Sequence, residues 1–350
     1  MRDRAIDIAR GLLVLLMVWG HTMQFFADTQ IFPLAQTLID AINVTVFPTF
    51  VFCFGCTVQL AYLQKPYRRA LPGMARTALR AYAAFVLSGV GYRVLREGKA
   101  LAWPVVRRIL LLEDIPGWSE FLVSFALYAL LAMAAFALLR ALAHRPVWML
   151  PVGAACLLAC LIPYERVAPT QLALLIGGTQ FACFPVVQYM PYFLAGLAYA
   201  AGSRRTRGLL LALAAAAGAV AAVLCLRGGA LPRRFPPEPG WILLAALPVS
   251  LVLLLARGLT CLPRIAQPLR AMLSHLGGRS LYELVASNLA IFALAGRGVV
   301  PQYGKKAPPP FCLTIQSPGG ALGWAALLLF ALWFVSRLAN RGKTPPTANT

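Results

Sequence analysis

Long apolar stretches separated by short polar segments dominate this sequence. A helix needs about 20 mostly apolar residues to cross the hydrocarbon core of a bilayer, and about ten stretches meet or approach that length. They cover residues 6–27, 43–64, 74–95, 119–140, 147–163, 182–201, 207–226, 241–259, 270–296 and 320–338. The pattern predicts an all-α, polytopic membrane protein of about ten transmembrane helices.

The lysines and arginines between these stretches predict the orientation. With a cytoplasmic N-terminus, 17 of them fall on the cytoplasmic side and 12 on the opposite side, and cytoplasmic loops are the ones enriched in Lys and Arg. The pattern therefore favours cytoplasmic N- and C-termini. Residues 101–118, on the opposite side, are amphipathic and too interrupted to span, so we expect them to lie in the interface or to fold back toward the core.

Composition excludes several other classes of protein. Hydrophobic residues make up 60% of the 350 residues and charged residues 12%, with a mean hydropathy of +0.73, unlike an ordinary soluble domain. The net charge of +21 comes from short clusters between apolar runs, so it indicates membrane topology and no nucleic-acid partner. We expect one membrane-embedded domain over residues 1–339, a disordered tail over 340–350, and a multi-pass protein of a bacterial plasma membrane.

The cysteines favour packing over metal binding. Most of the eight lie within or beside apolar runs, where cysteine behaves as a small hydrophobe. Cys53 and Cys56 have the spacing of a metal-binding pair, but no second pair or histidine lies nearby in the sequence to complete a site. We therefore expect no metal.

The first apolar stretch contains three ionisable residues, Asp7, Arg10 and His21. An ionisable side chain at bilayer depth costs at least ~2.5–3.5 kcal/mol, so such residues usually face a protein interior or a wet cavity. Eleven helical steps of about 100° return almost to the same azimuth, so Arg10 and His21 share a face about 16.5 Å apart along the axis. Asp7 is one turn from Arg10 and can orient its guanidinium. Arginine suits an anion and histidine suits proton transfer.

A purely structural interpretation of these residues stays open. Arg10 could extend its guanidinium to the lipid headgroups, and His21 could make a single interhelical hydrogen bond. His21 lies deeper than Arg10, and one hydrogen bond rarely justifies such a position.

Five further residues are candidates for binding. Arg76 and Arg80, at the start of the third stretch, could bind the phosphates of a nucleotide carrier or meet anionic lipid headgroups. Trp118 and Glu120 open the fourth stretch and could contact a sugar, although an interfacial tryptophan is common. Glu283 could line the cavity of His21 and bind substrate, or form a structural intramembrane pair with Arg279. His144 and His275 are expected to be solvated.

Four segments resemble the acyltransferase family 3 superfamily of integral-membrane enzymes, which includes heparan-glucosaminide acetyltransferase-like and glucan acyl-transfer branches. "IDIARGLLVLLMVWGH" is similar to the opening helix of that family, with an acidic residue followed by Arg-x10-His at Asp7, Arg10 and His21. The other segments are "FPTFVFCFGCTVQLAYL", "FPVVQYMPYFLAGLAYA" and "LGGRSLYELVASNLAI". One position departs from the family: many members have a second histidine where this chain has Ser287.

The resemblance implies an O-acyltransferase. It implies that acetyl-CoA, or a related acyl donor, binds from the cytoplasm and that the acceptor is a hydroxyl of a cell-surface or lipid-linked glycan. Arg10, with Arg76 and Arg80, would hold the anionic donor, and His21 would act as base or acyl carrier. Two alternatives are a transporter or flippase of a lipid-linked glycan and a non-catalytic membrane subunit. The sequence does not indicate an oligomeric state.

Overall fold

The computed structural model describes residues 3–27, 34–179, 183–295 and 317–340, and these residues form helices and connecting segments without strands. The α-helices are α1 (Arg4–Phe26), α2 (Leu34–Val58), α3 (Tyr67–Gly91), α4 (Trp103–Leu110), α5 (Glu120–Ala134), α6 (Phe136–His144), α7 (Met149–Leu157), α8 (Thr170–Ile176), α9 (Met190–Ala201), α10 (Arg204–Gly228), α11 (Pro239–Leu244), α12 (Ala246–Cys261), α13 (Gln267–Gly278), α14 (Ser280–Ala295) and α15 (Pro318–Asn340). Two π-helical segments, Gln59–Leu63 and Tyr92–Arg96, extend α2 and α3. The all-α class predicted from the sequence is confirmed.

Each of the ten predicted stretches contains helix, but fewer helices are long and apolar enough to cross a membrane. Within the described ranges five satisfy both conditions: Arg4–Phe26, Leu34–Leu63, Arg204–Gly228, Pro239–Cys261 and Pro318–Val335. A sixth span results if α5 and α6, which are bent by 86° at their junction, are counted together. The chain is therefore a multi-pass membrane protein. The predicted tail, residues 340–350, lies outside the described residues from position 341 onward.

Helix α1 is the centre of the bundle. It packs against α2, α12, α13, α14 and α15, and most of its apolar side chains, such as Leu13, Val14 and Val18, are fully buried. Its first turn is capped by Asp3, whose carboxylate accepts a hydrogen bond from the backbone N–H of Ala5 at 2.9 Å. Because other helices surround α1, its buried polar residues Asp7 and Thr22 lie within protein rather than against lipid.

A pair of glycines lets α2 and α9 pack in close contact where they cross. A Cβ atom added at Gly55 would lie 2.2 Å from the carbonyl oxygen of Phe193, and one added at Gly196 would lie 2.1 Å from the carbonyl oxygen of Phe52. Small residues at such crossings let the backbones of membrane helices approach closely. The thiol of Cys56 donates to the carbonyl oxygen of Gly196 at 3.2 Å across the same contact.

A second pair of glycines makes the same kind of close contact between α1 and α13. A Cβ atom at Gly11 would lie 2.1 Å from the carbonyl oxygen of Leu273, and one at Gly277 would lie 1.8 Å from the carbonyl oxygen of Asp7. This contact continues into α14, because α13 and α14 are separated only by Arg279. The close approach of α1 and α13 thus holds the start of α14 beside α1.

Replacing Gly196 by alanine is expected to destabilise the fold by about 2 kcal/mol, within the range for overpacking a tight contact. The added methyl group meets a backbone oxygen at 2.1 Å, and a backbone oxygen within a helix has little room to move. The measurement is thermal unfolding of the purified protein in detergent. Gly208→Ala in α10 is the matched control, since a Cβ there meets nothing within 4 Å. Equal unfolding temperatures for both variants would contradict the prediction.

Candidate active site

Two hydrogen bonds connect the polar residues of α1 to α14. Nη2 of Arg10 donates to Oγ of Ser280 at 2.6 Å, and Nδ1 of His21 lies 2.8 Å from Oδ1 of Asn288. Arg10 and His21 therefore share the face of α1 that meets α14. The half-buried guanidinium of Arg10 is directed toward protein, which is unlike an arginine that reaches only to lipid headgroups.

The amide of Asn288 has a defined orientation. Its Nδ2 lies 3.0 Å from the backbone oxygen of Trp118 and 3.5 Å from Oγ of Ser88. A carbonyl oxygen can only accept, so the atom that faces Trp118 must be the NH₂ group, and Oδ1 must face His21. Asn288 is 1% exposed and Ser88 is fully buried, so water does not compete for these bonds.

This orientation fixes the tautomer of His21. Because Oδ1 of Asn288 accepts, the neutral imidazole must carry its proton on Nδ1, and Nε2 then has the lone pair. No described residue forms a hydrogen bond with Nε2. The ring is therefore held on one side and available on the other.

His21 lines a pocket of about 210 Å³. Its walls come from the C-terminal half of α1, the first half of α2, the start of α5, and three segments between helices. Besides His21 it is lined by Met17, Gly20, Gln24, Ile42, Asn43, Val46, Phe47, Gly117, Trp118, Glu120, Phe121, Cys183, Phe184, Arg234 and Phe235. A proton-accepting ring, a carboxylate and a guanidinium thus meet in a pocket with aromatic walls, which suits a polar small molecule such as a sugar.

Trp118 shapes this pocket through both its ring and its backbone. Its indole N–H donates to Oε1 of Gln24 at 2.8 Å, and its ring packs 4.9 Å from that of Phe25 and 5.5 Å from that of Tyr92, measured between centroids. Its φ angle is +60°, a left-handed conformation that costs a non-glycine residue of order 1–3 kcal/mol. That turn directs the Trp118 carbonyl to Asn288 immediately before α5 begins at Glu120.

Glu120 and Arg234 are the oppositely charged groups of the pocket. Glu120 and Cys183 line the pocket together, and the carboxylate of Glu120 lies within electrostatic range of Arg234. The guanidinium carbon of Arg234 lies 4.3 Å from the ring centroid of Phe235 and 5.8 Å from that of Phe184. Trp118 and Glu120 were candidates from the sequence, whereas Arg234 and Asn288 were not.

The remaining candidates lie outside this pocket. Asp7 is buried in the first turns of α1 and Arg10 bonds to Ser280, so neither lines it. Arg76 and Arg80 are exposed on α3. Their exposed positions leave both available to an anion or to lipid headgroups.

Glu283 also lies away from the pocket that the sequence analysis considered for it. It sits in the first turn of α14, five residues before Asn288, where it is completely buried. Both of its carboxylate oxygens lack a hydrogen-bond partner among the described residues. The guanidinium of Arg279, its expected partner, lies 4.8 Å over the ring of Tyr282.

The other two histidines, His144 and His275, are exposed, as the sequence indicated. In the described part of the chain no three His, Cys, Asp or Glu side chains come together as a metal site would require.

Comparison with known proteins identifies the family. The sequence model of the catalytic part of heparan-alpha-glucosaminide N-acetyltransferase matches residues 2–230, well over half of the chain. No curated protein is significantly similar to the chain. The match confirms the prediction of an acyltransferase-type membrane enzyme without singling out acyltransferase family 3, and it covers His21, Trp118 and Glu120 while ending before Arg234 and Asn288. The chain belongs to the family of heparan-alpha-glucosaminide N-acetyltransferase catalytic domains, whose members are membrane acetyltransferases.

Proposed function

We propose that this protein transfers an acetyl group from acetyl-CoA to the amino group of a glucosamine-type sugar in a glycan, with His21 as the general base. The observation that carries this proposal is that Nε2 of His21, to which no described residue bonds, lies in a pocket that also contains Glu120. The family description names an N-acetyltransferase of a glucosaminide, which favours an amine over the hydroxyl acceptor expected from the sequence.

The pocket residues have distinct roles in this reaction. Glu120 would bind the acceptor ammonium group by a charge-assisted hydrogen bond and would take one of its protons, which leaves the neutral amine as the nucleophile. Trp118 would pack against the sugar ring. Nε2 of His21 would accept the amine proton while the new C–N bond forms, the thioester C–S bond breaks and CoA leaves as the thiolate.

The donor would approach from the opposite end of α1. Arg10 lies about 16.5 Å from His21 along the helix, and Asp7 would help to orient it. Arg76 and Arg80, exposed on α3, would assist in binding the phosphates of CoA from the cytoplasm. Under this arrangement the acetyl thioester must reach His21 from one side while the glycan enters from the other, as in a plasma membrane with its glycan outside.

The test is an acetyl-transfer assay with two matched acceptors. Purified protein in lipid nanodiscs is incubated with radiolabelled acetyl-CoA and a glucosamine-terminated oligosaccharide, or the same oligosaccharide with its amine already acetylated. We expect at least tenfold more label in the free-amine sugar, because only the amine distinguishes the two, and a factor of ten corresponds to about 1.4 kcal/mol. Equal labelling would show hydroxyl transfer. Absence of label from both sugars, together with sugar movement across vesicles, would favour the flippase alternative.

Two forms of chemistry at His21 can be separated in the same assay. As a base, His21 leaves CoA attached until the acceptor attacks. As an acyl carrier, its Nε2 would itself attack the thioester carbon and release CoA before the acceptor binds. CoA release without acceptor, at one equivalent per protein, would indicate the carrier form.

A further inference from the structure

Ser119 is the residue that precedes the first turn of α5, a position where a serine hydroxyl usually accepts a hydrogen bond from a backbone N–H of its own helix. In the described chain the Ser119 hydroxyl makes no such capping bond. It lies instead 2.7 Å from Oγ of Ser88, near the end of α3. Both serines are fully buried. The hydroxyl of Ser119 is therefore engaged between helices rather than within its own helix.

The turn immediately before Ser119 needs such support. Trp118 has a φ angle of +60°, and a non-glycine residue keeps this left-handed conformation only where its surroundings hold it. Two consecutive residues of α3 hold the turn. Ser88 bonds to Ser119. A Cβ atom added at Gly89 would lie 3.1 Å from Cγ of Pro116, so the absence of a side chain there lets the segment before Trp118 pack directly against α3.

Ser88 also supports Asn288, the partner of His21. Nδ2 of Asn288 lies 3.5 Å from Oγ of Ser88 and 3.0 Å from the carbonyl oxygen of Trp118. Both of these acceptors depend on the serine pair, because one is Ser88 itself and the other belongs to the turn that Ser119 holds. Neither serine is among the residues that line the pocket. The pair therefore acts on His21 through Asn288 and not by touching a ligand.

We propose that Ser88 and Ser119 are positioning residues for the acetyl transfer. Their hydroxyl pair keeps the Asn288 amide in the orientation that fixes the tautomer of His21. The inference rests on the proposed function, because that function assigns the role of base to Nε2 of His21. Without the pair, the turn at Trp118 relaxes and its carbonyl moves away from Asn288. The amide can then rotate, and in part of the molecules the imidazole carries its proton on Nε2, where it cannot accept one from the sugar.

A purely structural role of the serine pair predicts a different result. Removing one hydroxyl leaves the other buried without a bond, which destabilises the folded state, whereas removing both leaves neither unsatisfied. Ser88→Ala/Ser119→Ala should therefore have an unfolding temperature closer to that of the unmodified protein than either single variant has. If the pair only stabilises the fold, acetyl transfer recovers together with stability in the double variant. If the pair positions His21, kcat stays low.

We expect kcat to fall about tenfold in both single variants and in the double variant, at the lower end of the effects of losing a residue that supports a reactive group. KM should change much less, because every residue that lines the pocket is retained. Ser250→Ala is the matched control, since Ser250 is also fully buried and donates across helices to the carbonyl oxygen of Leu211 at 3.2 Å, away from the pocket. It should lower the unfolding temperature without lowering kcat. Normal kcat in the double variant, or an equal loss in Ser250→Ala, would overturn the proposal.

A measurement of the tautomer itself requires neither donor nor acceptor. With His144→Gln and His275→Gln, His21 is the single histidine of the sequence. Nitrogen NMR of the histidine-labelled protein in nanodiscs distinguishes the ring nitrogen that carries a proton from the one with the lone pair. At a pH where the imidazole is neutral, we expect the proton on Nδ1 alone, and on either nitrogen once both serines are replaced by alanine.

The tautomer measurement also separates this inference from the proposed function. Ser250→Ala should leave the proton of His21 on Nδ1. If the proton stays on Nδ1 in the double serine variant as well, the pair does not position His21 and the proposal is wrong. If the tautomer changes as expected but the unmodified protein acetylates no sugar, the serine pair still fixes His21 and the enzymatic proposal fails.

Discussion

Replacing His21 by glutamine is expected to lower kcat for acetyl transfer by roughly a thousandfold or more, within the range of general acid–base catalysis. The glutamine side chain retains an N–H group that can donate to Oδ1 of Asn288, so the link between α1 and α14 is preserved. It has no basic lone pair to take the place of Nε2. The measurement is steady-state release of CoA by the purified protein in nanodiscs, with unfolding temperature as the check that the fold is intact.

The histidine on α13 provides the control for this experiment. His275 is exposed and lies outside the pocket, so His275→Gln should retain activity within twofold. A folded His21→Gln protein that acetylates normally would show that the hydrogen bond to Asn288 is the whole role of His21. The catalytic assignment would then have to be abandoned.

Replacing Asn288 by leucine is expected to lower kcat by about a hundredfold, a magnitude typical of losing a residue that orients a reactive side chain. Leucine offers no acceptor to Nδ1 of His21 and no donor to the carbonyl of Trp118. The ring can then rotate or adopt the other tautomer, so Nε2 no longer presents its lone pair to the acceptor. Because the sugar contacts remain, KM should change much less than kcat.

The neighbouring Ser287→Ala change is the control for Asn288. Ser287 is equally buried, but among the described residues its hydroxyl bonds only to the carbonyl oxygen of Leu284 in its own helix, at 3.1 Å. We expect kcat within twofold of the unmodified protein. If Asn288→Leu raises KM and leaves kcat unchanged, the residue contacts the acceptor rather than positioning His21.

The sequence predicts the helices well but not their breaks. Apolar stretches locate helices because lipid allows few alternatives for the backbone. The bend of 86° between α5 and α6 and the interruption at Arg279 are not visible in hydropathy, since both occur inside apolar stretches. The close contact of Gly11 with Leu273 also joins residues distant in sequence, and hydropathy gives no signal for it.

The site was only partly predictable for a related reason. The cost of burying a histidine draws attention to His21, and an aromatic–acid pair before a helix draws attention to Trp118 and Glu120. Asn288 meets His21 across 267 positions of the chain, so the pair cannot be inferred from local spacing. The sequence signal that was available for Asn288 is its polar amide within the apolar run that forms α14. Arg234 lies in a loop rich in arginine and proline, where its sequence context resembles that of Arg233.

In the proposed reaction, Trp118 would both contact the substrate and align the base. Its ring forms pocket wall while its carbonyl holds the Asn288 amide that fixes His21. A substitution of Trp118 is therefore expected to lower the rate of acetyl transfer as well as substrate binding. The α10–α11 connection, in contrast, makes no bond to Asn288 or His21 in the described chain. Relatives that diversify in the sugars they accept should accordingly vary around Arg234 and retain the tryptophan turn.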